Sequence, residues 1–302
     1  KTIVFFGTDS FSADSLEVLI ECGFNIAAVV TKPDSAKGRS KELTPSPVKI
    51  LAQKHSITVL QPDKVSEISK EIKNIKGPIG VLVSYGNLIP QEVLNLFEQG
   101  IVNLHPSLLP KYRGPSPIES VILNGEKETG VTFIQLTNEM DAGPIYYQAK
   151  FEIPKDQTAS ELYETLGFTG AIELKQILPE IMDGTLQPSP QDDTQATYCN
   201  LIEKKDGIID WNKPAQQIER EVRAYNIWPK SRTKLGDVEA IITAARVTDG
   251  NGNPGSTELR GSELIIYCGK DCLSIDKIQP LGKKEMPVQA FLAGYKNKII
   301  VQ

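Results

Sequence analysis

The chain has 302 residues, 40% of them apolar and 24% charged, with a formal net charge of −5. That is the composition of a soluble globular protein, and the length favours two domains over one core. No apolar run approaches the roughly 18 residues a membrane helix needs. Lys1–Phe6 is too short for a signal-peptide core and runs into Gly7 and a polar turn. A cytoplasmic protein without membrane contact is therefore expected.

In chain order, Thr2–Phe6 reads as a buried strand and Ser12–Cys22 as a helix stopped by Gly23. Asn25–Val30 is the next strand, followed by a polar stretch over residues 31–45. Ser46 caps a helix with Pro47 at its first position. Thr58–Leu60, Ile79–Val83 and Gly100–Asn103 read as strands, with helices Ser66–Ile75 and Gln91–Phe97 between them. Thr132–Leu136 and Ile145–Ile153 follow as strands, then a long amphipathic helix, Thr158–Met182. This alternation predicts an α/β fold, a Rossmann-like and mostly parallel sheet covered on both faces, over residues 1–184.

Residues 185–203 are rich in Pro, Ser, Gln and Asp and read as a linker. Residues 204–302 hold one helix, Ala215–Tyr225, and the β patterns Val238–Ala244, Glu263–Tyr267, Leu273–Lys277 and Val288–Ala293. Short strands separated by Gly and Asn suggest a second, smaller β-barrel of OB-like type. Charge divides along the same line. Residues 1–203 carry 17 Lys and Arg against 26 Asp and Glu, whereas residues 204–302 carry 16 against 12. The acidic part argues against a general nucleic-acid binder. The mildly basic part suits a phosphate backbone, and uneven scatter of charge explains it equally well.

Several chemistries lack their parts. The first strand turns on Gly7 alone, without the Gly-x-Gly-x-x-Gly of dinucleotide binding, and no P-loop or Gly-x-Ser-x-Gly elbow occurs. Cys268 and Cys272 could form half a metal site, but no second close pair or histidine follows. Reduced thiols are the expectation for all four cysteines, and no metal is expected. Of the two histidines, His55 sits near a helix end as a C-cap or surface group. His105 stands where an apolar run meets a loop stiffened by Pro106 and Pro110. Asn103 lies two residues earlier, so on a strand both side chains share a face, at the end where open α/β sheets take ligands. Asp141, in the turn Glu139-Met-Asp-Ala-Gly-Pro144, is the best candidate for an accompanying carboxylate. Each also has a structural reading: a satisfied core histidine, and a locally capping aspartate.

Asn103-x-His105-Pro-Ser-Leu-Leu-Pro110, Tyr112-Arg-Gly-Pro-Ser-Pro117 and Asp141-Ala-Gly-Pro144 together resemble the folate-dependent formyltransferases. Gly7-Thr8-x-x-Phe11, Thr44-Pro-Ser-Pro-Val-Lys49, Ser84-Tyr-Gly86, Asp210-Trp211 and Ile227-Trp-Pro229 narrow the resemblance to the methionyl-tRNA formyltransferases over essentially the whole chain. One departure is Asp9, where relatives usually have proline.

The resemblance implies formyl transfer from 10-formyltetrahydrofolate to an amine, with Asn103, His105 and Asp141 catalytic and Ser107, Leu108, Leu109 and Pro110 at the folate. It implies initiator methionyl-tRNA as the acceptor, gripped by Lys37, Arg39 and Lys41, with phosphate contact from the C-terminal domain; a monomer is expected. A formyltransferase acting on a sugar-nucleotide amine is the nearest alternative, and it has no need of the basic 31–45 loop. A non-enzymatic RNA- or folate-binding module would not require the Asn103, His105 and Asp141 trio.

Overall fold

The computed structural model describes residues 1–36 and 42–299. Lys37, Arg39 and Lys41 lie outside the described residues. The chain divides into two units: residues 1–114, 128–152 and 163–199 form the first, and residues 115–127, 153–162 and 200–302 the second.

The first unit begins β1 (Thr2–Gly7), α1 (Ser10–Glu21) and β2 (Asn25–Val30). Two two-residue strands paired antiparallel, β3 (Ser35–Ala36) and β4 (Leu43–Thr44), precede α2 (Pro47–Lys54) and β5 (Thr58–Leu60). Next come α3 (Ser69–Lys73), β6 (Pro78–Val83), α4 (Gln91–Leu94) and β7 (Ile101–His105). After α5 (Pro117–Leu123), which belongs to the second unit, follow β8 (Glu128–Gln135), β9 (Ile145–Glu152) and α6 (Ala159–Asp183). One seven-stranded sheet runs β5-β2-β1-β6-β7-β8-β9, parallel from β5 to β7 and antiparallel from there. The order reverses between β1 and β6, the switch point at which open α/β sheets bind ligands.

Its central strands are apolar because both faces are covered. Ile3 to Phe6, Val81, Val83, Val102 and Leu104 are buried, and Phe6 meets Tyr85 and Phe97 edge-on. Helix α1 starts two residues before the expected Ser12 because Asp9 caps it, its Oδ1 accepting from the Ser12 N–H at 3.0 Å. Ser46 caps α2 through the Lys49 N–H at 3.0 Å, and His55 is that helix's C-cap residue.

In the second unit α7 (Ala215–Ala224) precedes β10 (Ser231–Leu235), β11 (Val238–Thr248), β12 (Thr257–Arg260), β13 (Glu263–Tyr267) and β14 (Cys272–Pro280). β15 (Met286–Pro287) and α8 (Val288–Tyr295) complete it. The antiparallel sheet runs β10-β11-β14-β13-β12, with β15 on β14, so β10 and β12 are its edges. Its core joins Ile218 and Val222 of α7 to Leu264, Ile275, Ile278 and Phe291.

Four sequence expectations change here. The strand expected over Val288–Ala293 is helix α8. Pro287 precedes it with φ −58° and ψ 149°, and Val288 and Phe291, three apart, bury one helical face. Helix α5, which begins at the last residue of the Tyr112–Pro117 motif, is not among the expected elements, although Ile118, Val121 and Ile122 carry a helical apolar spacing. The edge strands β10 and β12 also went unread, because edge strands need no apolar run. Ser66–Ile75 begins as a 3₁₀ turn, Val65–Ile68, before α3.

Candidate active site

All five residues of β7, Ile-Val-Asn-Leu-His, are buried, and the strand reaches His105 rather than stopping at Asn103. Asn103 and His105 therefore lie on one face of the sheet. Beyond the strand, the Ser107 N–H bonds back to the His105 carbonyl at 3.0 Å. The Ser107 hydroxyl donates to the Lys111 carbonyl at 2.7 Å. From β8, the Thr132 hydroxyl donates to the Ser107 carbonyl at 2.6 Å and accepts from the Leu109 N–H at 3.2 Å. Gln148 of β9 donates to the Leu109 carbonyl at 2.8 Å. The two antiparallel strands thus fix the loop that follows the parallel one.

His105 is 5% exposed. Its Nε2 lies 2.9 Å from the Tyr112 carbonyl oxygen. A carbonyl can only accept, so Nε2 carries the proton and donates. The other nitrogen, Nδ1, faces Asp141 Oδ2 at 3.7 Å, within ion-pair range and longer than a hydrogen bond. Asp141 Oδ2 also accepts from the Gly114 N–H at 2.8 Å, while Oδ1 has no hydrogen bond among the described residues. Asn103 is 6% exposed, and its side-chain amide likewise has no hydrogen-bond partner among the described residues. Its polar atoms are not sealed from solvent and so stand open to a ligand.

Local backbone makes these contacts possible. Asp141 adopts φ 51°, the left-handed region that Asp tolerates better than most residues. A Cβ at Gly143 would stand 1.8 Å from the Gln135 carbonyl oxygen, so only glycine closes this turn. Gly114, at φ 118°, would put a Cβ 2.4 Å from the Cys199 carbonyl oxygen. The glycine whose N–H holds the carboxylate is thus itself required by the close approach of residues 189–199.

Among the residues expected at a folate, Ser107 and Leu109 are buried and point into the loop's own packing, while Leu108 and Pro110 keep accessible surface. Asp9 is elsewhere, capping α1 and accepting the Ser84 hydroxyl on Oδ2. Among the described residues no three His, Cys, Asp or Glu side chains gather as for a metal ion. The four cysteines are free thiols, and burial, with a smaller contribution from the neighbouring Cys272, pushes Cys268 up to about 12.

Sequence reading missed the segment that the site leans on. Residues 185–199 have the composition of a linker, yet Ser189 pairs with Ile145 in both directions at 2.7 and 2.8 Å. Thr197 and Cys199 bond along residues 110–113. Arg113, 3% exposed, donates to Gln191 Oε1 from Nε at 3.1 Å and from Nη2 at 2.7 Å, and reaches Asp193 at 2.7 Å. Burial opposes the Arg113 charge, but its bonds to Asp193 and Tyr198 outweigh that and raise it above the usual guanidinium range. No local signal marks Gln191, because its partner Arg113 lies 78 positions away in the chain.

A family model described as formyl transferase matches residues 1–178, and one described as formyl transferase, C-terminal domain, matches residues 201–296. The chain belongs to the formyl transferase family. A methionyl-tRNA formyltransferase of Staphylococcus epidermidis is 39% identical over 304 aligned residues, covering 99% of this chain and 97% of the relative. One of Chloroflexus aurantiacus is 40% identical over 298, covering 97% and 96%. Among solved structures, an N-formyltransferase of Helicobacter canadensis in complex with folinic acid and dTDP-3-aminofucose superposes with a TM-score of 0.69. It is 21% identical, over 90% of this chain and 98% of that one. HypX of Aquifex aeolicus in complex with tetrahydrofolic acid gives 0.65 at 18% identity, over 99% of this chain and 48% of that one. At these identities the two structures bear on the formyl transferase fold alone.

Proposed function

We propose that this chain is a cytoplasmic enzyme that transfers the formyl group of 10-formyltetrahydrofolate to the α-amino group of initiator methionyl-tRNA, for the start of translation. The observation that carries the reading is similarity of 38–40% along nearly the whole length, through both parts of the chain, to methionyl-tRNA formyltransferases. The folate supplies the activated formyl carbon and, on transfer, departs through its N10 arylamine nitrogen, which takes up a proton as the C–N bond breaks.

The site's residues suit that chemistry. Asn103 has an amide without a hydrogen-bond partner among the described residues, able to donate to a carbonyl oxygen as it gains negative charge, a role whose loss typically costs about 3–4 kcal/mol. The Tyr112 carbonyl holds His105 by Nε2, which leaves Nδ1 to act between substrate and Asp141. Asp141 Oδ1 is free to take the proton that the attacking nitrogen loses. An α-amino group titrates near 8, so much of it is protonated at neutral pH and an acceptor beside it is useful. Leu108 and Pro110 offer apolar surface to a flat ring, while Ser107 and Leu109 keep the loop in shape. Lys37, Arg39 and Lys41 would grip the acceptor arm, and the basic 204–302 segment would meet its phosphates.

One assay tests the reading: protein, 10-formyltetrahydrofolate, and either charged initiator tRNA or an amino-sugar nucleotide. Formyl-methionyl-tRNA is the expected product, and formylation of the sugar nucleotide alone would replace this reading with the alternative. Arg39→Ala is expected to raise the KM for tRNA while leaving the KM for folate unchanged. An unchanged tRNA KM would remove the 37–41 stretch from recognition.

A further inference from the structure

Residues 189–199 do more than connect two parts of the chain. The Gln191 amide uses every hydrogen-bonding group it has. Its Oε1 takes two bonds from the buried Arg113 guanidinium, at 2.7 and 3.1 Å. Its Nε2 donates to the carbonyls of Asp141, at 2.8 Å, and Gly143, at 2.7 Å. Chemistry fixes the amide's orientation: a guanidinium only donates and carbonyls only accept. Arg113 is itself tied to Asp193 and Tyr198.

The Asp141–Gly143 turn needs such a clamp. Asp141 stands at φ 51°, in the left-handed region, which a non-glycine residue holds at some cost that hydrogen bonds to its backbone offset. Its side chain makes one backbone hydrogen bond, from Gly114. The other groups that bind the main chain of this turn are the Ala142 N–H, at a long 3.4 Å from the Glu139 carbonyl, and the Pro144 carbonyl, which accepts from Gln135. Gln191 therefore holds the turn at both ends, through the backbone carbonyls of Asp141 and Gly143, while the Asp141 carboxylate faces His105 Nδ1.

We propose that Gln191, braced by Arg113, is a positioning residue for formyl transfer: it sets the Asp141 carboxylate against His105 from a segment that reads as a linker. This rests on the proposed function, since Asp141 must act in the reaction for its placement to matter. Misplacing a reacting group by about 1 Å can cost on the order of 100-fold in rate.

Gln191→Glu is the discriminating substitution. It keeps the size and the acceptor for Arg113 but replaces the two donors to Asp141 and Gly143 with acceptors. The expected result is a kcat at least about 10-fold lower, with the KM for folate and for acceptor within about twofold. Hydrogen exchange is expected to quicken at Ala142 and Ile145 while the β8 amides stay protected. Asp193→Asn, at an exposed residue that also binds Arg113, is expected to keep wild-type turnover. Three results would overturn the proposal: wild-type kcat in Gln191→Glu, equal loss in both variants, or loss of kcat only together with global unfolding. A wild-type protein that forms no formyl-methionyl-tRNA would instead overturn the proposed function, and the exchange measurement would still report whether Gln191 holds the turn.

Discussion

Asp9 and Asp141 both stand in turns of the first unit, and their surroundings are opposite. Asp9 has both oxygens engaged: Oδ1 accepts from the Ser12 N–H and hydroxyl at 3.0 Å each, and Oδ2 accepts the Ser84 hydroxyl. Its charge caps α1 and ties the loop after β6 to the turn after β1. Asp141 has one donor, the Gly114 N–H, a histidine nitrogen at 3.7 Å, and an oxygen without a partner. A carboxylate with both oxygens engaged by neighbours is the poorer acceptor for a substrate proton; one with an open oxygen beside an imidazole is the better. The number of bonds made, rather than the residue type, separates a cap from a base.

That contrast can be broken by substitution. The largest effect is expected for Asp141→Asn, which can still accept from Gly114 but is far too weakly basic to take the proton. A fall in kcat of about 1,000-fold, measured by single-turnover formylation, is in the range for a lost general base. A fall below tenfold would make Asp141 a cap like Asp9. Asn103→Ala comes next, with kcat about 100- to 1,000-fold lower and substrate KM values little changed; a change confined to KM would assign Asn103 to binding alone. Asp9→Ala is expected to leave kcat within about twofold while lowering stability by about 1 kcal/mol, read from the denaturant midpoint of the first unit. Turnover lost at constant stability would place Asp9 in the site after all. Ser84→Ala, which removes one of the bonds to Asp9, should give a smaller shift in the same direction.

Local chemistry explains which parts were legible in the sequence. Ser46 before Pro47 marks a helix start by chain-local capping, and the Ser46 to Lys49 bond is there. The two-residue spacing of Asn103 and His105 places both on one face because a strand has a period of two. Elements held by distant partners carry no such local mark. The polar edge strands Ser231–Leu235 and Thr257–Arg260 each pair with one neighbouring strand, so no apolar run reveals them. Val288–Ala293 has β-compatible composition, but the core it meets takes the Val288 and Phe291 face of a helix.

By itself the sequence determined the chain order of the seven strands of the main sheet, the family, and the pairing of an amide with an imidazole at the end of β7. These depend on periodicity, caps and motif spacing, which act within a few residues. Tertiary structure alone decided which nitrogen of His105 is held by Tyr112 and which faces Asp141. It also decided that Asp141 rather than Asp9 keeps an unbonded oxygen, and that Gln191 grips the turn from a segment of linker composition. Those outcomes depend on hydrogen bonds between residues tens of positions apart. Their geometry exists only once the sheet has brought the loops together.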